Sequence, residues 1–177
     1  MIWIFGDSFS SSNHPKSWVN FLGPVTNYSS NGSSQYRIYK NYLYHAPSIN
    51  ETDIVLFVHT SHSRIFLKDD RELSSRSLSS HPNCDIIIHD IFEKKEKHYT
   101  DILESIWDED FFNDVFNLIT DKLVSVSNSY HVTFFESSRS DLINLNHIWK
   151  NNSGDINHLN HQGNILVAEI VKQMLTH

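Results

Sequence analysis

The stretch Met1-Ile2-Trp3-Ile4-Phe5-Gly6-Asp7-Ser8-Phe9-Ser10 decides the reading of this chain. Its apolar run, Ile2 to Phe5, is too short for a helix and is closed by Gly6 and Asp7, the pattern of a short buried strand. Such a strand presents Ser8 just past its carboxyl end, the edge at which open α/β sheets bind ligands. A serine after Gly-Asp also suits a simple turn, so Ser8 alone assigns no chemistry. The far end of the chain supplies what a nucleophile would need. Asp155-Ile156-Asn157-His158 sets a carboxylate and an imidazole three residues apart, ahead of Asn160, Gly163 and an apolar stripe through Ile165, Leu166, Ile170, Val171, Met174 and Leu175. A serine hydroxyl needs a base, and the base needs an orienting acid.

Together the two blocks resemble the SGNH, or GDSL-like, hydrolase superfamily. In that family the nucleophile lies in a Gly-Asp-Ser motif on the first strand, and the acid and base share a late Asp-x-x-His motif; the matching positions here are Ser8, Asp155 and His158. The resemblance implies a three-layer α/β/α sandwich around a parallel, flavodoxin-like sheet in strand order 2-1-3-4-5. It also implies a serine esterase or deacetylase acting on an O-acyl ester, with small O-acetylated carbohydrates among the expected substrates.

The family's oxyanion hole uses the backbone N–H of the nucleophile, that of a glycine in a second block, and an asparagine side chain in a third. Ser8 provides the first, and Asn31-Gly32-Ser33 matches the second block, making Gly32 the second donor. The third block departs from the pattern. Where the family has Gly-x-Asn-Asp, this chain has His59-Thr60-Ser61-His62-Ser63-Arg64, and His62 falls nearest the asparagine position. Losing one oxyanion donor typically costs about 10²–10³ in turnover. The gap favours an alternative of a different class: a catalytically weak or inactive module of the same fold, kept for glycan binding or structure.

Composition narrows the field. The 177 residues suffice for one domain spanning 1–177 with a full core. The single cysteine, Cys84, lies in the polar run His81-Pro82-Asn83-Cys84 and excludes an internal disulfide framework. A formal net charge of −7, with no basic stripe, argues against a nucleic-acid partner. No basic leader and no run of about 18 apolar residues is present, so a soluble, cytoplasmic protein with no membrane partner is expected. The twelve histidines are scattered, with only His59/His62 and His158/His161 as close pairs. A metal site would have to draw on His158, His161, Asp155 and His59, and no His-Glu-x-x-His set is present; no metal and no cofactor are expected. The expected partner is a small-molecule or carbohydrate ester, and oligomeric state is not legible.

Between the two motifs the chain alternates strand and helix signals. Lys16–Leu22 reads as a short helix stopped by Gly23-Pro24, and Val25–Tyr28 as the second strand. The loop Ser29–Ser34 follows, then a helix with Tyr36, Tyr39, Tyr42 and Leu43 on one face. Asp53–Val58 is the clearest buried strand. Residues 68–85 read as a polar excursion or lid, and Ile86-Ile87-Ile88 is compatible with either strand or helix. From Tyr99 to Val126 an apolar stripe follows helical period, with Asp108, Glu109 and Asp110 on its solvated face. His131–Glu136 reads as a strand and Asn144–Asn152 as loop. Strands alternating with helices imply βαβ units and a layered α/β/α fold.

Overall fold

A computed structural model describes residues 1–12, 15–65, 86–87, 107–154 and 158–176. Five parallel strands make the main sheet: β1 (Ile2–Gly6), β2 (Thr26–Asn27), β3 (Ile54–His59), β6 (Ser129–Thr133) and β7 (Ile143–Asn144). Their order is β2-β1-β3-β6-β7. Counted along this sheet alone, that is 2-1-3-4-5, as the resemblance implied. A separate antiparallel pair joins β4 (Arg64–Ile65) to β5 (Ile86–Ile87), so the first two residues of the isoleucine run form a strand, and Ile88 lies outside the described residues.

Among the described residues the α-helices are α1 (Gln35–His45), α2 (Glu109–Val124), α3 (Asn146–Asn151) and α4 (His161–Leu175). Alternation along the strands sends side chains to opposite faces. Trp3, Phe5, Val55 and Phe57 pack with Ile38 of α1 and Leu123 of α2. Ile4, Leu56, Val58 and Val132 pack on the other face with Val167, Ala168 and Val171 of α4, Ile148 of α3, and Trp18. Two apolar layers therefore sandwich the sheet, as a parallel sheet buried on both faces requires.

Several boundaries differ from the sequence reading. Lys16–Leu22 contains only one 3₁₀ turn, Trp18–Phe21. The strand expected at His131–Glu136 starts earlier and stops at Thr133, whose hydroxyl accepts the Phe135 N–H (3.2 Å) and turns the chain. Asn144–Asn152 is not loop: it contains the end of β7 and the whole of α3. A two-residue strand is too short to alternate, and a six-residue helix too short to show a period; both form because tertiary partners hold them. Leu145 N–H donates to the Thr133 carbonyl (2.7 Å) and Asn146 Nδ2 to the Phe134 carbonyl (2.8 Å). Asp108, Glu109 and Asp110 are exposed, as expected of a solvated face, and they also form the amino terminus of α2. Asp108 caps it by accepting the Phe111 N–H (2.9 Å), and Glu109 and Asp110 sit in the first turn, where the helix dipole favours negative charge. The excursion at 68–85, Cys84 and the start of the long stripe at 99–106 lie outside the described residues.

Gly6 closes β1 where there is no room for a side chain. A Cβ there would overlap Ser10 Oγ and stand 2.7 Å from Val58 Cβ on the neighbouring strand. Gly6→Ala is therefore expected to lower unfolding free energy by about 1–3 kcal/mol, the usual cost of overpacking, measured by urea titration. An unchanged midpoint would show that β1 and β3 can separate freely at this point.

Candidate active site

Because the strands are parallel, the segments after β1, β2 and β3 leave the sheet at one edge. The Ser8 turn follows β1 directly. Asp7 caps the 3₁₀ turn Ser8–Ser10 by accepting the Phe9 N–H on Oδ1 (3.0 Å), and its Oδ2 accepts the Thr60 hydroxyl from the end of β3 (3.0 Å). Asp7 is fully buried, and burial raises its carboxyl above the usual range. The Arg64 charge opposes that rise most, followed by the Phe9 N–H, the Thr60 hydroxyl and the His158 charge. Ser8 itself is half-buried.

The second loop is fastened to the same turn. Ser30 N–H donates to the Gly6 carbonyl (3.2 Å), Ser10 Oγ bonds Ser29 Oγ (2.9 Å), and Asn27 Nδ2 donates to the Ser10 carbonyl (2.7 Å). Gly32 lies two residues beyond Ser30, buried, at φ +69°, a conformation in which any side chain would be strained. Ser34 then caps α1 by accepting the Arg37 N–H (3.3 Å).

His158 lies at this edge too. Its ring centroid is 5.2 Å from that of Phe9, the residue after Ser8. Beside it Ser153 bridges Leu159, and Gly154 N–H donates to the His158 carbonyl. Asp155 lies outside the described residues, so the acid of the Asp-x-x-His motif has no described position.

A clamp not foreseen from sequence joins the two turns. Trp18 Nε1 donates to the Phe9 carbonyl (2.6 Å), and Trp18 N–H donates to Asn164 Oδ1 (2.8 Å). Asn164 Nδ2 in turn donates to the carbonyls of Leu159 (3.0 Å) and Asn160 (2.9 Å), immediately after His158. The signal in the sequence was a polar side chain in the first turn of an otherwise apolar helix face.

The third segment divides. His59 is the last residue of β3 and fully buried, while Thr60 reaches back to Asp7. His62 is seated against α2: its Nε2 is 3.9 Å from Glu109 Oε1 and its ring 6.5 Å from that of Phe116. Thr60 and Arg64 are the residues of this segment that act on Asp7.

His59 belongs to a buried chain of hydrogen bonds with one consistent direction. The Thr120 hydroxyl donates to the Phe116 carbonyl (2.8 Å) and so accepts from Gln35 Nε2 (3.0 Å), while Thr60 N–H donates to Gln35 Oε1 (3.4 Å). With the amide so oriented, Gln35 Nε2 donates to His59 Nδ1 (2.6 Å). His59 then carries its proton on Nε2 and donates to His131 Nδ1 (2.9 Å), and His131 Nε2 donates to Ser129 Oγ (2.8 Å). Both His59 nitrogens are thus engaged, which removes it from any metal set with His158 and His161. Among the described residues no group of three metal-ligating side chains comes together, and no helix is long and apolar enough to cross a membrane.

The pair is held neutral. Burial pushes His59 well below the usual histidine value, helped by the His131 and Arg139 charges and opposed by Asp141. Burial likewise pushes His131 down to about 4, opposed by Asp141 and helped by Arg139. A folded pKa below the unfolded one means stability fully present above the unfolded value and lost as pH falls through the folded value. The window is therefore from about 6.5 down to about 4, with His131 contributing up to about 3 kcal/mol. Asp7 works in the opposite direction, since a raised carboxyl removes stability as pH climbs past its unfolded value, while the lowered carboxyls of Asp53, Glu136 and Asp141 add to the loss at the acid end. Urea unfolding at pH 7, 5.5 and 4.5 is expected to show progressive acid loss, and His131→Gln to flatten it; parallel slopes would refute the assignment.

No family model matches this chain, and no curated protein matches it. Several solved structures resemble it, and two illustrate the likeness. One is a member of the lipolytic protein G-D-S-L family from Veillonella parvula DSM 2008, 15% identical, covering 99% of this chain and 98% of that one with a TM-score of 0.47. The other is an acetyl xylan esterase, 17% identical, covering 98% of each chain with a TM-score of 0.46.

Proposed function

We propose that the chain is a serine hydrolase acting on ester bonds, with Ser8 as nucleophile, His158 as general base and Asp155 as the acid that orients it. The observation that carries this reading is the gathering of Ser8, the Gly32 loop and His158 at one edge of the parallel sheet, with His158 against the ring of Phe9. In the proposed cycle Ser8 Oγ bonds the acyl carbon while its proton passes to His158. The C–O bond to the alcohol then breaks, and His158 returns the proton to the departing oxygen. Water, deprotonated by His158, releases the acid and regenerates Ser8. The Ser8 and Gly32 N–H groups are the proposed oxyanion donors, and Gly32's left-handed backbone supports an amide turned out of the regular loop path.

His62 is proposed as the third donor on its place in the motif; its seat against Glu109 and Phe116 means it would have to turn from α2 to serve. His62→Ala and His62→Asn variants separate the possibilities. A loss of about 10² for alanine with recovery by asparagine supports the role, and equal rates in all three leave the hole to its two backbone donors. For the alcohol we propose a carbohydrate, as the resemblance implied.

The test of the whole reading is labelling by a fluorophosphonate probe, with the modified residue mapped by mass spectrometry. Modification of Ser8 is the expected result. The lack of an asparagine in His59–Arg64 favours the second reading, an idle site on a glycan-binding module. Failure of the probe to label, together with glycan binding, would establish that one.

A further inference from the structure

The apolar stripe of α2 is only partly used by the core. Thr120 and Leu123, toward the carboxyl end of the helix, are fully buried, whereas Phe112, Val115, Phe116 and Ile119 are half-buried. These four are spaced i, i+3, i+4 and i+7, so they form one face. α2 leads into the start of β6, so its amino-terminal half lies toward the carboxyl edge of the strands, where Ser8 is. There the four residues wall a cavity of about 250 Å³ whose polar side includes Gln35 and Arg64. Both tie the cavity to the candidate active site. Gln35 follows the Gly32 loop and holds the Thr60 N–H, and Arg64 acts on Asp7.

We propose that this cavity is an acyl pocket, taking the apolar body of a short aliphatic or aryl carboxylic acid while the carboxyl end faces Arg64. The inference rests on the esterase reading only for identifying the bound acid as the acyl part of the substrate. Size sets the class. The volume equals that of about eight waters, and falls just below the roughly 300–1,000 Å³ of sites for drug-sized ligands. An acetyl group would leave most of the apolar wall bare. An acyl group of about five to eight carbons fills it, each buried methylene strengthening binding roughly fourfold. The walls carry the chemistry as well: four aliphatic or aromatic side chains on one side, and on the other a guanidinium suited to a carboxylate or ester carbonyl.

Binding can be read without catalysis. The isotope-labelled full-length protein is titrated with acetate, hexanoate and octanoate and followed by methyl NMR. Hexanoate is expected to saturate, to shift the Val115 and Ile119 methyls, and to bind at least tenfold tighter than acetate. Val115→Trp, on a half-exposed helix face, is expected to weaken hexanoate at least tenfold. Ile119→Ala, which deepens the cavity, is expected to move the preference toward octanoate, and decides the matter if the tryptophan variant does not fold. Equal affinity for acetate and hexanoate, or hexanoate binding indifferent to both variants, would overturn the pocket. Wild-type turnover of p-nitrophenyl acetate and hexanoate separates this from the function. A probe-labelled enzyme that hydrolyses acetate and does not bind hexanoate loses the pocket and keeps the esterase. A protein that binds hexanoate at α2, resists the probe and hydrolyses neither ester keeps the pocket and loses the esterase.

Discussion

Replacing Ser8 by alanine is expected to abolish fluorophosphonate labelling and to lower ester hydrolysis by on the order of 10⁴–10⁶, the loss that follows removal of a serine nucleophile. The fold should not notice. Ser8 is half-buried, and the bonds that shape its turn are made by its neighbours: Asp7 Oδ1 with the Phe9 N–H, Asp7 Oδ2 with the Thr60 hydroxyl, and the Ser8 carbonyl with the Ser11 N–H. None uses the hydroxyl that the substitution deletes, so unfolding free energy is expected within about 0.5 kcal/mol of wild type. That contrast makes the experiment informative, because lost activity in a protein of unchanged stability cannot be assigned to misfolding. Retention of the full rate on an ester that wild type hydrolyses would remove Ser8 from the chemistry.

The largest stability effect is expected at Trp18. It is fully buried in the core between the sheet and α4, and it also ties the Ser8 turn to the His158 turn through Phe9 and Asn164. Truncating a buried tryptophan to alanine costs about 3–5 kcal/mol, and leaving the Phe9 carbonyl without its donor adds about 1–3 kcal/mol. Against a typical domain stability of about 5–15 kcal/mol, Trp18→Ala should bring the protein close to unfolding at ambient temperature, as read by urea denaturation. Trp18→Phe divides the two contributions, since it keeps most of the apolar volume and removes only the indole N–H. If the clamp sets the spacing of the two turns, the phenylalanine variant stays folded and labels more slowly with the probe. Asn164→Ala, which leaves Trp18 in place and cuts the other half of the clamp, should slow labelling in the same way. Labelling at the wild-type rate in both would make the clamp a stabilising feature alone.

Local signals fixed the elements whose pattern is long enough to carry information. Ile2–Phe5 and Ile54–Val58 are unbroken apolar runs, and the stripes of α1, α2 and α4 repeat over three turns or more, so their existence follows from burial preference within one segment. The Gly-Asp-Ser and Asp-x-x-His motifs were legible for the same reason, each being a short contiguous string. β7 and α3 were not, because two and six residues hold too little pattern and are stabilised by carbonyls of Thr133 and Phe134 supplied from elsewhere in the chain. The sites that depend on long-range pairing were hidden on the same principle. Nothing near Trp18 in sequence announces Asn164, 146 residues away, and nothing in Gln35, His59 or His131 announces that one amide fixes the tautomers of two imidazoles. What the amino-acid sequence determined by itself was therefore the candidate nucleophile and base and the alternation that makes a parallel sheet. Tertiary structure alone decided that Thr60 bonds Asp7, that a tryptophan and an asparagine join the two turns, and that half of the α2 stripe walls a cavity. A hydrogen bond or a void is a property of two segments at once, and only the folded chain brings them together.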